Sequence, residues 1–145
     1  MISNYAANKV LDHLLRTPGT ALASIGWSAA SGVWLALFTT AIDRQQDIGG
    51  PTEVSGGSYT RAPLTFSAAA KGLEVISAAV TFPAPTGNWG TIIAVAVVDT
   101  SASSGGGHIL WFENVCPFVI NNGDPAFSLP AGSIKISLGG ELCDC

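Results

Sequence analysis

The sequence predicts a mainly β protein: an antiparallel β-sandwich or flattened barrel of about eight strands after one N-terminal helix. Short apolar segments follow one another with turn residues about every ten positions, which is typical of these two folds. The segments do not alternate with helices, so a parallel α/β sheet is not expected. The 145 residues contain no linker-like boundary, and we expect a single domain over residues 1–145.

The helix is predicted over residues 4–16. Apolar residues recur there at three- and four-residue spacing, and Pro18-Gly19 ends the pattern. Ser3 or Asn4 can cap its start by accepting free backbone N–H groups. Because so short a helix is marginal alone, its apolar stripe must dock on its own sheet or on a neighbouring subunit. The sequence leaves both possibilities open.

Three of the predicted strands carry a positional signal. Residues 33–39 are mostly apolar and are expected to be buried on both faces, and the uncharged, β-branched residues 91–98 are expected to be central. Pro63 lacks an N–H donor, which places its strand, residues 59–66, at a sheet edge or a bulge. The other strands are predicted at residues 72–82, 108–115, 118–120, 126–129 and 133–138.

Residues 52–61, TEVSGGSYTR, form a glycine turn that opens into a strand. A phosphate loop would lead into a helix and carry a Lys-Ser/Thr pair, so phosphate binding is not expected. Glu53 and Arg61 flank the turn and could pair across it. As an exposed pair they would contribute roughly 0–1 kcal/mol.

The composition is poor in charge, with 11% charged residues and a net charge of −4. The six basic residues are scattered, so we expect no nucleic-acid binding, and an anionic membrane would repel the chain. No signal peptide and no apolar run long enough to span a membrane are expected. A surface with so little charge favours extensive contact with protein partners, and the alternative is a monomer whose surface is made of Ser, Thr and Gly.

The three cysteines argue against a disulfide framework because their number is odd. Cys116, beside Pro117, is expected to be a buried and inert thiol. Cys143 and Cys145 lie in a predicted C-terminal tail, residues 139–145. They are either free thiols of a frayed tail or form a cross-chain disulfide or soft-metal site, although zinc needs more ligands than this pair offers.

No pattern of catalytic residues is recognisable, so we expect no enzyme, no metal and no cofactor. The loop acids Asp43 and Asp47 are expected to be solvated rather than to bind calcium. The four tryptophans are expected mainly in the core or as lids. Trp27 and Trp89 fall in predicted turns and are the better candidates for binding.

Several segments resemble, in the same order, a family of small tailed-bacteriophage virion proteins described as tail-fibre-like or capsid-decorating. The segments are residues 4–15, 33–39, 52–61, 78–83, 88–90 and 129–132. Residues 139–145 depart from the family's pattern, which tends to end near the last strand. The resemblance therefore implies no role for the cysteines of the tail.

The resemblance implies a β-rich subunit, present in many copies, that grips a larger lattice. We expect a capsid decoration (cement) protein that binds the phage major capsid protein as a homodimer or homotrimer. It would be assembled in the host cytoplasm and lie on the capsid surface of the virion. The alternative is a tail or fibre component that binds a host surface glycan, and a small hydrolase is a distant third. The residues expected at the partner interface are Val10, Leu11, Leu14, Trp27, Glu53, Tyr59, Trp89, Cys143 and Cys145.

Overall fold

The computed structural model describes residues 1–11, 32–68, 70, 73–103 and 106–137. These residues form one helix and eight strands: α1 (Asn4–Leu11), β1 (Val33–Phe38), β2 (Ala62–Leu64), β3 (Leu73–Val75), β4 (Val80–Thr81), β5 (Gly90–Val98), β6 (Ile109–Ile120), β7 (Ser128–Leu129) and β8 (Lys135–Ser137). The mainly β fold with one short N-terminal helix is therefore confirmed.

The largest sheet has the strand order β2-β1-β5-β6, and all its neighbouring strands are antiparallel. Two further two-stranded ribbons pair β3 with β8 and β4 with β7. Strand β5 is an inner strand, as its uncharged composition predicted. Strand β2, which contains Pro63, lies at the sheet edge. An edge strand tolerates the missing N–H of proline because no neighbouring strand needs that donor.

Strand β1 of the four-stranded sheet is buried on both faces. Along β1, Leu35 and Leu37 point into one hydrophobic cluster, whereas Ala36 and Phe38 point into a second. The two ribbons cover the first cluster, and the loop after β1 covers the second through Ile42. Because a strand with two buried faces needs apolar residues at successive positions, this arrangement explains the unbroken apolar runs of β1 and β5.

Two predictions of strand boundaries were wrong: one predicted strand is divided in two, and two predicted strands are joined into one. Residues 72–82 divide into β3 and β4, since the chain changes sheet between them. The two predicted strands at 108–115 and 118–120 are instead the single strand β6. Its ladder with β5 passes from Asn114 opposite Ala94 to Phe118 opposite Ile92, so residues 115–117 bulge out opposite the single residue Ile93.

This bulge also corrects the prediction for Cys116. The thiol was expected to be buried, but Cys116 is a free and exposed cysteine. It lies in the middle of the bulge, where the extra residues turn away from the ladder.

Helix α1 docks on its own chain, against β6. Its start is capped as predicted, because the Ser3 Oγ accepts the N–H of Ala6 at 3.2 Å. The same hydroxyl donates to the carbonyl of Ile109 at 2.5 Å, and Ala6 is buried. Residues 12–16 of the predicted helix lie outside the described part of the chain.

The glycine turn has three successive residues in the left-handed region, with φ of 76° at Gly56, 55° at Gly57 and 64° at Ser58. Gly57 also lies against the backbone of Gly87, so that a Cβ added to Gly57 would come within 3.0 Å of it. The Gly57 carbonyl accepts the N–H of Thr86 at 3.0 Å. The turn therefore needs glycine at position 57 for space as well as for its dihedral angle.

Replacing Gly57 with alanine should destabilise the protein by about 2–5 kcal/mol, because left-handed strain and a backbone clash add together. The matched control is Gly56→Ala, where φ is also positive but nothing lies within 4 Å of the added Cβ. That variant should lose only about 1–2 kcal/mol. Urea unfolding of both variants measures the difference, and equal losses would show that the close approach to Gly87 has no energetic weight.

Candidate functional site

The glycine turn is closed by a buried ion pair between Glu53 and Arg61. The Arg61 side chain is 0% exposed and that of Glu53 is 9% exposed. Arg61 Nε donates to Glu53 Oε1 at 2.8 Å and Nη2 donates to Oε2 at 2.7 Å, a bidentate geometry. The predicted pairing is confirmed, but the expectation of an exposed pair was wrong.

Two further donors of Arg61 bind a second loop. Its Nη1 donates to the carbonyls of Thr100 and Gly106, each at 3.0 Å. A buried guanidinium is stable only when its N–H groups are matched by acceptors, and these two carbonyls supply that match. Arg61 therefore holds together the glycine turn and the loop between β5 and β6.

Tyr59 extends the network to the edge of β1. Residues 52–54 and strand β2 pair with the two ends of β1, and the chain leaves the sheet between them. In that gap the Tyr59 hydroxyl accepts the N–H of Leu37 at 2.9 Å and lies 3.1 Å from Glu53 Oε1, to which it donates. The hydroxyl thus replaces a missing strand, because the N–H of Leu37 would otherwise be buried without an acceptor.

Tyr59 and Trp89 were predicted at the partner interface, and the structure places both in the core instead. They are 6% and 4% exposed, and their rings meet edge to face with centroids 5.4 Å apart. The Trp89 indole donates to the carbonyl of Gly57 at 2.9 Å. The Tyr59 hydroxyl and the Trp89 indole N–H are both hydrogen-bonded inside the domain. These two aromatic residues therefore pack under the glycine turn and do not form a binding surface.

Burial raises the pKa of the Tyr59 phenol, and the neighbouring Glu53 carboxylate raises it further. Both effects disfavour the phenolate form. A proton donor is therefore held against Glu53 over the whole neutral range.

The other predicted interface residues are not brought to this network. Val10 is half-buried in α1, and Leu11 is the last residue of that helix. The positions that lie outside the described residues are Leu14, Trp27, Cys143 and Cys145. Their proposed contacts with a partner stay predictions.

Sequence reasoning missed a second cluster, formed by Tyr5, Asp47 and His108. The His108 Nδ1 lies 2.5 Å from Asp47 Oδ2, and the Tyr5 ring stacks on the imidazole with centroids 3.9 Å apart and planes 9° from parallel. Asp47 Oδ1 accepts the N–H of Ile109 at 2.8 Å. Asp47, predicted as a solvated acid, remains 37% exposed but also binds His108 and the backbone of Ile109. Because the three residues come from separate segments, no local spacing could indicate them.

This cluster anchors the N-terminal arm, which we define as residues 1–11. The arm also pairs with β6 as an added strand: Ile2 forms a bridge to Trp111, Ser3 N–H donates to the Leu110 carbonyl at 3.1 Å, and Phe112 N–H donates to the Met1 carbonyl at 2.8 Å. The first half of the β6 edge is thereby covered. The second half carries the 115–117 bulge, which protects an open sheet edge from further pairing.

Among the described residues, no group of three or more His, Cys, Asp or Glu side chains could hold a metal ion. The same part of the chain contains no helix that is both long and apolar enough to cross a membrane.

The fold and these contacts define a small β-rich protein whose buried charges fasten its own loops. The family model described as Podophage GP4 fiber I protein gp80 matches residues 1–137. The chain therefore belongs to this family of tailed-phage virion structural proteins, and the resemblance found in the sequence is confirmed. No curated protein matches the sequence.

Replacing Arg61 with methionine should destabilise the protein by about 3–5 kcal/mol, because the Glu53 carboxylate and two loop carbonyls lose their buried partner. The double variant Glu53→Gln/Arg61→Met should be less destabilised than the sum of its single variants, since it leaves no unpaired charge. Urea unfolding followed by tryptophan fluorescence measures all three. Lys135→Met on exposed β8 is the control and should change stability by about 0.5 kcal/mol or less. Strict additivity would contradict the coupling.

The stability of the protein should fall above about pH 10, the ordinary pKa of tyrosine. The folded state holds the Tyr59 proton more tightly than the unfolded chain, so this contribution is complete below that pH. Above it, the unfolded chain is favoured by up to about 1.4 kcal/mol per pH unit.

The control is Tyr59→Phe, which should be less stable at neutral pH by about 1–3 kcal/mol because the Leu37 N–H loses its acceptor. Its stability should decline less steeply at alkaline pH, although a decline from Tyr5, whose pKa burial also raises, should remain. Chemical unfolding at successive pH values, with tyrosinate absorbance recorded in parallel, gives both curves. Parallel curves for the two proteins would contradict the assignment to Tyr59.

Proposed function

We propose that this chain is a structural subunit of a podophage fibre, or of the tail structure that carries the fibre, and that it has no catalytic activity. The observation that supports the proposal is the match of the family model, whose description names a fibre protein, over residues 1–137. The match extends through the arm, the four-stranded sheet and both ribbons. The proposed role therefore belongs to the whole β body rather than to one segment.

The internal chemistry of the domain fits a mechanical role. The Glu53–Arg61 pair and Tyr59 connect three stretches of chain at the edge of the central sheet. Such a network adds rigidity because each member fixes the geometry of the others. A subunit of a virion fibre needs a body that keeps its shape under load.

Binding of a host glycan through Trp89 has lost its support. The ring is buried and the indole N–H is bonded to Gly57, so neither the face nor the donor is offered to a sugar. If the chain contacts a glycan through a tryptophan from a predicted turn, Trp27 is the remaining candidate. Because Trp89 is not available to a sugar, we propose that the chain has a structural role in the fibre and does not bind the host glycan.

Capsid decoration, which the sequence resemblance led us to expect, remains the other candidate location. A small rigid β body with few charges would suit a capsid lattice as well as a fibre. The two roles differ in position and in copy number, because a decoration protein follows the symmetry of the major capsid protein.

Gold-labelled antibody against this chain, applied to intact virions and imaged by electron microscopy, tests the proposal. We expect labels at the tail end of the particle and a copy number far below that of the major capsid protein in quantitative mass spectrometry. Labels over the head, with a copy number near that of the capsid protein, would overturn the fibre role and favour decoration.

The same particles test glycan contact. Virions carrying Trp27→Ala should adsorb to host cells as fast as wild type if the role is structural. Trp27→Phe, which keeps an aromatic face, is the matched control. Adsorption lost with alanine and kept with phenylalanine would contradict a purely structural role.

A further inference from the structure

We propose that the first half of the β6 edge, residues Ile109 to Phe112 with Asp47 and His108 beside it, binds the N-terminal arm of a second copy of this chain. Two copies would exchange their arms reciprocally. The proposal goes beyond the fibre role and holds for any virion assembly that contains more than one copy.

Neither hydrophobic cluster of the body, which comprises the described residues from 32 to 137, contains a residue from positions 1–11. The arm packs beside these clusters, with Ser3 and Ala6 buried against the edge of the sheet. An equivalent arm from another copy could make the same contacts at this edge and would leave the composition of both clusters unchanged.

The contacts of the arm are those of strand addition to an exposed edge. They include backbone hydrogen bonds to Leu110 and Phe112, the Ser3 hydroxyl on the Ile109 carbonyl at 2.5 Å, and the Asn4 N–H on the Arg44 carbonyl at 3.1 Å. The N-terminal ammonium of Met1 also donates to the Phe112 carbonyl and lies 3.8 Å from Glu113. The Tyr5 ring stacks on His108. In this mode of recognition the backbone bonds supply affinity and a few side chains supply the register.

Every one of these contacts is available to the arm of another copy. The length of chain between arm and body permits the exchange, since twenty residues, 12–31, separate them. A chain of twenty residues can span up to about 70 Å, which exceeds the diameter of a domain of this size, about 40 Å. The arm can therefore reach the edge of a neighbouring body.

Reciprocal exchange also fits the energetics of assembly. The eight-residue helix α1 is marginal on its own, so the arm is stable only when it is docked. Two bodies that exchange arms make all the contacts of two closed monomers and add a pair of connections with two-fold symmetry. Neighbouring copies held in a virion assembly raise the effective concentration of each arm at the other's edge.

Cysteine trapping tests the exchange at the bridge between Ile2 and Trp111. In a background carrying Cys116→Ser, Cys143→Ser and Cys145→Ser, one variant carries Ile2→Cys and a second, differently tagged variant carries Trp111→Cys. The two are co-expressed, oxidised and separated by size without reductant. We expect a covalent dimer that joins the unlike variants and is at least tenfold more abundant than either like pair.

The chain carrying both cysteines is the reference for geometry. If this double variant closes within one chain while the mixture stays unlinked, the arm belongs to its own body and the proposal is overturned. Failure of both to link, or equal yields of like and unlike pairs, would also overturn it. Should Trp111→Cys fail to fold by circular dichroism, native mass spectrometry of the full-length chain decides between exchange and a closed monomer.

A second measurement uses full-length chain with its native cysteines kept reduced. Native mass spectrometry should give twice the monomer mass of 14.8 kDa. Tyr5→Ala/Ser3→Ala should reduce the dimer fraction at least tenfold, because the Ser3 hydrogen bond to Ile109 and the stacking of Tyr5 on His108 are lost. Asn8→Ala, at an exposed position of α1, is the matched control and should keep the dimer. An equal dimer fraction in all three proteins would contradict binding through the arm.

Discussion

The architecture depends on one buried ion pair, between Glu53 and Arg61 at the edge of the central sheet. Its two carboxylate–guanidinium bonds close the glycine turn, and two further Arg61 donors fix the loop between β5 and β6. Both side chains are almost fully buried. A buried charge is strongly destabilising without a partner of opposite charge, so each of the two residues depends on the other. The pair therefore links the glycine turn to the loop between β5 and β6. Without it, only the turn residues of each loop would fix its conformation.

The network explains why the segment TEVSGGSYTR is organised as it is. Glu53 and Arg61 must meet, Tyr59 must reach the free N–H of Leu37, and Gly57 must pass close to Gly87. The spacing of these residues serves the closure of the sheet edge. The most distinctive motif of the chain is thus an internal fastening, and its presence in a virion structural protein agrees with a body selected for rigidity.

The arm and the body follow different structural rules. The body is held by two apolar clusters and the buried network, whereas the arm is held by edge pairing and by Tyr5 on His108. An element docked in this way can be stable in place and still exchangeable between copies. The fold thereby combines a body held by buried contacts with an arm held at the sheet edge.

The sequence by itself determined the β class and the two buried inner strands, because hydrophobic period and β-branching act locally. It narrowed Pro63 to an edge or a bulge and the helix cap to Ser3 or Asn4, and it indicated that Glu53 and Arg61 could pair. Only the tertiary structure decided that this pair is buried, that Tyr59 and Trp89 are core residues and that Cys116 faces solvent, because burial depends on which segments pack above a residue. Likewise, Tyr5, Asp47 and His108 share no local pattern, and their meeting follows from the docking of the arm on β6.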